Sequence, residues 1–65
     1  MPKFAELKRE FKKAGCYLIG QYKGHEEWYS PITDETFPMS RHNGEEVKPT
    51  TEHMLRKQAG VPKKH

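Results

Sequence analysis

At 65 residues, with 32% hydrophobic and 32% charged side chains, the chain has room for one small domain whose core rests on a few large side chains. No apolar run is long enough to span a bilayer and the amino terminus lacks a signal-peptide core, so a cytoplasmic protein is expected. Cys16 is the single cysteine, which excludes an intramolecular disulfide and reads as a small buried thiol; twelve Lys and Arg against nine Asp and Glu give a net charge of +3, which favours a polyanionic partner.

Between 2 and 14, Phe4, Leu7, Phe11 and Ala14 recur at helical spacing, with Lys8, Arg9, Lys12 and Lys13 on the remaining faces, and predict an amphipathic helix. Pro2 suits its opening turn and Gly15 its end. The cationic face has two readings, a solvated surface or a phosphate-contacting one. Residues 16–21 are short, apolar and β-prone and predict a first strand with Cys16 and Leu18 inward. Lys23-Gly24 makes a turn, after which 26–30 predicts a second strand with Trp28 facing the helices, Glu27 and Tyr29 on the other side, and Pro31 as its stop. Residues 36–40 alternate as a third strand with Phe37 and Met39 inward, and Pro38 argues that this strand lies at a sheet edge or presents its unpaired side to solvent. Residues 41–46 form a polar loop, and Val47 returns one apolar side chain to the core. Lys48-Pro49-Thr50-Thr51 introduces a second helix with a threonine cap; Met54, Leu55, Gln58 and Ala59 share its inner face, and Gly60 with Pro62 stops it.

This order predicts an α+β two-layer sandwich, α-β-β-β-α, in which a three-stranded antiparallel sheet carries both helices on one face, as in double-stranded-RNA-binding domains. The domain is expected to span 1–62, with 63–65 a disordered basic tail. The open sheet face would carry Tyr17, Ile19 and Tyr29, a surface suited to a protein partner.

The candidate functional centre is Tyr22-Lys23-Gly24-His25-Glu26-Glu27-Trp28-Tyr29-Ser30, where a glycine turn delivers a histidine to the start of a strand containing adjacent aromatics. A histidine at a turn is either a solvated polar residue or a proton-transfer group, the imidazole being the side chain suited to that work near neutral pH. Lys23 and Arg41 are candidates to neutralise a phosphate, and each is equally readable as a solvated turn cation. His42 reads as a second proton-transfer group or as a loop residue that bonds backbone or RNA. Of the two adjacent aromatics, Trp28 is assigned to the core and Tyr29 to the exposed face, where it could stack on a base. Cys16, His25, His42 and His53 contain no closely spaced pair, so no metal site is expected.

In order and spacing, Glu6-Leu7-Lys8 through Lys13-Ala14-Gly15, Gly24-His25-Glu26-Glu27-Trp28-Tyr29-Ser30-Pro31, Arg41-His42 and Met54-Leu55-Arg56-Lys57-Gln58-Ala59-Gly60-Val61 resemble the HicA-type messenger-RNA interferases, the toxin half of a bacterial toxin-antitoxin pair. The resemblance implies a ribonuclease that needs no metal or other cofactor, with His25 as its active histidine; from the charge and placement of the residues themselves, Lys23, Gly24, Arg41, His42, Lys8 and Lys12 are expected to bind the RNA. It also implies mRNA as substrate and a HicB-type antitoxin that masks His25, the toxin being monomeric within a larger complex. The chain departs from the family's usual Gly-Ser-His or Gly-Thr-His in that Gly24 directly precedes His25, and Ser40-Arg41-His42 stands where Pro-Arg-His is usual. The rival readings are a non-catalytic RNA-binding module of the same fold and an interaction domain that works through its exposed sheet face alone.

Overall fold

A computed structural model describes residues 2–63. Its elements run α1 (Phe4–Lys13), β1 (Tyr17–Tyr22), β2 (His25–Ser30), β3 (Glu35–Met39) and α2 (Pro49–Ala59). The sheet order is β1-β2-β3 with both pairings antiparallel, which is the expected α-β-β-β-α arrangement. Of the expected tail at 63–65, all but Lys63 lies outside the described residues.

Period-two alternation sends Trp28, Phe37 and Met39 to one side of the sheet, and all three are buried there against Phe4, Leu7 and Phe11 of α1 and Leu55 and Ala59 of α2. Phe11 meets Phe37 edge to face with ring centres 5.7 Å apart, the arrangement that the aromatic quadrupole favours. Val47 and Cys16 are buried in the same cluster, as expected. Both helices therefore cover one face, and the covered strands are β2 and β3. Pro38 lies on β3 at the sheet edge, where its missing N–H costs no ladder bond.

Three expectations are corrected. Leu18 sits opposite Trp28 and shares its face, yet it is 45% exposed, because the helices stop short of β1 and every residue of that strand is solvent-accessible. The second helix has no threonine cap: Lys48 is the cap residue without a side-chain bond, and Pro49 occupies the first helical position, where a preset φ and an absent N–H are both favourable. Met54 is exposed, and the buried side of α2 is instead Glu52, Leu55 and Ala59.

Backbone and hydroxyl groups outside the helices close their ends. The N–H groups of Phe4 and Ala5 donate to the carbonyls of Glu45 and Asn43, so the 41–46 loop caps α1. At the far end of α2, the hydroxyls of Ser30 and Thr33 donate to the carbonyls of Ala59 and Gln58 at 2.6 Å each. Gly60 has φ +71, and a Cβ there would lie 2.8 Å from Ile32, so glycine alone allows the β2–β3 turn to close on this helix end.

The two helices are tied by Arg56. Its guanidinium donates through two nitrogens to both carboxylate oxygens of Glu10, at 2.7 and 2.9 Å, and through Nε to Glu52 at 2.7 Å, with only 10% of its side chain exposed. A lysine would keep the charge but lose the fork that serves two acids at once. Arg56→Lys is expected to lower stability by about 1.5–3 kcal/mol, the usual worth of a hydrogen bond to a charged group, measured as a lower urea midpoint; the exposed neighbour Lys57 replaced by Arg should leave that midpoint in place.

A histidine turn braced by a buried ion pair

Tyr22 pairs with His25, leaving Lys23 and Gly24 as a two-residue hairpin turn. Both have positive φ, 50° and 85°, as a type I′ turn requires. Gly24 accepts this freely, but Lys23 occupies a region that costs an ordinary L-residue roughly 1–2 kcal/mol. Its ammonium lies over the Tyr22 ring, 5.3 Å from the centre. Asparagine is the usual residue at such a position, so a lysine here trades stability for a cation one residue from the glycine that precedes His25.

His25 opens β2 and is half-buried, with its ring 6.2 Å from Tyr22 in an edge-on arrangement. Its Nδ1 makes a long 3.3 Å contact with the Glu26 carbonyl. That oxygen can only accept, so in the neutral ring the contact belongs to the Nδ1–H tautomer, which leaves the Nε2 lone pair able to take a proton.

Glu26 faces the opposite side, toward the helices. Its Oε1 accepts from the Lys8 ammonium at 2.8 Å and from the Trp28 indole N–H at 3.0 Å. Lys8 in turn donates to the Asn43 side-chain oxygen at 2.5 Å. Lys8 was expected on the phosphate-contacting face and is corrected here: it is buried, and its charge is neutralised inside the protein. Burial works against the charged form of Glu26, but the Lys8 ammonium and the Trp28 N–H outweigh it and hold the carboxyl below its ordinary value of 4.5.

Met39 pairs with Glu26, so the chain leaves β3 beside His25 and runs into Ser40, Arg41 and His42. Arg41 and His42 are exposed, and the Ser40 hydroxyl accepts from the His42 N–H at 3.1 Å. The Lys8–Asn43 bond and the α1 caps fasten this loop. One end of the sheet thus gathers the Lys23-Gly24 turn, His25 and the Arg41-His42 loop. Lys12 stands near, its ammonium 5.7 Å from the Trp28 ring centre, and with Ala5, Lys8, Arg9 and Asn43 it lines a shallow cationic groove on α1. A concavity of about 640 Å³ runs along α2 between Pro49 and Lys63 and contains none of the expected site residues. On the open face the Tyr29 ring lies 5.4 Å from that of Tyr17 in a tilted arrangement, and its hydroxyl donates to Asp34, a bond that raises the phenol's pKa. Among the described residues, no three His, Cys, Asp or Glu side chains come together as metal ligands would.

Sequence reasoning missed Glu26 and Asn43. The signal for Glu26 was its parity with Trp28, which puts an acid on the inward face; Lys8 falls in the stripe of Phe4, Leu7 and Phe11. An acid and a base each at an inward position of facing elements are candidates for each other.

A small α+β domain with an accessible imidazole beside a cationic helix is the class these features define. Residues 4–61 match the family model of the HicA toxin of bacterial toxin-antitoxin systems, and the chain belongs to that family. No curated protein and no solved structure gives a significant match. The chain is a toxin of that kind, and family membership implies an antitoxin as its partner. No helix among the described residues is long and apolar enough to cross a membrane.

Because the Glu26 carboxyl is more acidic folded than unfolded, its contribution is complete above about 4.5 and is lost as pH falls through the folded value. Urea titrations from pH 7 to 3 should therefore show the wild type losing stability below that point, whereas Glu26→Gln starts less stable at pH 7 and declines less steeply.

Proposed function

We propose that this toxin is a cytoplasmic endoribonuclease that cleaves mRNA without a metal ion, with His25 moving the proton. RNA carries its own nucleophile: the 2′-hydroxyl attacks the adjacent phosphorus once its proton is removed, and the bond to the 5′-oxygen of the next nucleotide breaks as that oxygen is protonated. A chain this small can promote such a step by positioning and proton transfer.

The observation that carries this reading is the placement of His25, half-exposed at a tight two-residue hairpin with its Nδ1 against the Glu26 carbonyl and Nε2 available as general base. Lys23 supplies positive charge where the phosphate becomes more negative, and Arg41 is the second candidate for that role from the neighbouring loop. Gly24 lets RNA backbone approach the turn. Arg9 and Lys12, exposed on the α1 groove, contact flanking phosphates, and His42 contacts RNA beside Arg41. The HicB-type antitoxin masks this end of the sheet.

Replacing His25 with alanine is expected to lower the cleavage rate at least 10²-fold, the low end for a positioned proton-transfer group, and to end growth arrest, while RNA affinity by filter binding stays near wild type. A substrate with a 2′-deoxy nucleotide at the scissile position should resist the wild-type chain. Undiminished cleavage by His25→Ala would remove the imidazole from the chemistry, and binding without any cleavage by the wild type would favour the non-catalytic module.

Lys23 provides an independent check through its backbone strain. Lys23→Asn should raise stability by about 0.5–1 kcal/mol, since asparagine tolerates the left-handed region, and yet reduce RNA cleavage. Thermal melts and cleavage rates on one preparation test both; unchanged cleavage would return Lys23 to the role of a solvated turn cation.

A further inference from the structure

The sheet has two edges, and they are treated differently. β3 carries Pro38 and opens on Glu35, both features that discourage strand addition. β1 reads Tyr-Leu-Ile-Gly-Gln-Tyr, with neither charge nor proline. Tyr17, Leu18, Ile19 and Tyr22 are 51, 45, 49 and 55% exposed, and among the described residues the strand's outer side pairs with nothing. An irregularity in the β1–β2 register at Ile19 interrupts the strand, leaving residues 20–22 as the run that ends at the histidine turn.

We propose that this edge receives an extended strand of an acidic partner protein, which pairs with residues 20–22 and brings carboxylates to Lys23. The inference rests on the nuclease reading above for its consequence, since the added strand would screen His25. The charge around the strand selects the occupant. Lys23 stands at one end of β1, Lys12 and Lys13 close α1 just before the other, and Lys12 lies over Trp28, the cross-strand neighbour of Leu18. A second copy of this chain fits poorly. With Tyr17 opposite Tyr22 in an antiparallel self-pairing, each Lys23 would fall opposite Cys16 of the other copy, next to its Lys12 and Lys13, setting cation against cation. An acidic strand removes that repulsion and pairs the exposed backbone groups. At the usual strand spacing of about 4.8 Å, side chains of the new strand flank Tyr22 on the face that carries His25.

The test uses the full-length cognate antitoxin as probe, with amide hydrogen exchange on the toxin alone and in complex. Exchange at residues 20–22 should slow on binding. Gly20→Glu and Gln21→Glu, both on exposed positions of the paired run, should each weaken antitoxin affinity by at least about tenfold, or 1.4 kcal/mol, and leave RNA cleavage by the free toxin unchanged, while Thr36→Glu on the opposite edge should leave both affinity and cleavage at wild-type values. Unaltered exchange at 20–22, or wild-type affinity in both β1 variants, would overturn the proposal, as would a toxin dimer that buries β1 in sedimentation runs. If instead the wild-type toxin cleaves no RNA, the nuclease reading fails while the exchange data still judge the docking edge.

Discussion

The ion pair of the buried Lys8 with the largely buried Glu26 is the constraint on which the rest of the site depends. Two charges withdrawn from water are costly, and their attraction offsets that cost only when the remaining polar atoms are also served. Here the Trp28 indole and the Asn43 amide do so. Four residues from α1, β2 and the loop after β3 thus share one network, and no element of it can shift without leaving a charge unpaired. Its strategic feature is location: Glu26 follows His25, and Asn43 follows His42.

A second charged cluster, Arg56 with Glu10 and Glu52, holds the helices to each other away from the histidine turn. The apolar core between them is small, as a chain of this length dictates. Stability is therefore drawn from polar ties at the periphery of the core as well as from burial within it. The helix ends follow the same logic, since loop carbonyls and the hydroxyls of a strand end and the following turn satisfy groups that a capping side chain satisfies elsewhere.

The helix layer covers β2 and β3 and leaves β1 in solvent, which gives the domain one strand devoted to neither the core nor the chemistry. Its turn with β2 is built with a strained lysine rather than a relaxed asparagine. Both features run against stability taken alone, and both lie at the end of the sheet that carries His25. Local departures of this kind are where functional demands show through a fold.

Apolar periodicity together with glycine and proline determined the five elements, their order, the inward set Trp28, Phe37 and Met39 and the turn that presents His25. These are local matters: side-chain period, glycine and proline act within a few residues. Only the tertiary structure decided that Leu18 stays exposed, that Met54 turns outward, that Lys8 is an internal partner of Glu26 and that α2 opens on Lys48 and Pro49 without a threonine cap. A sequence states which face a residue occupies, but whether that face is covered, and by which charge, depends on elements tens of residues away.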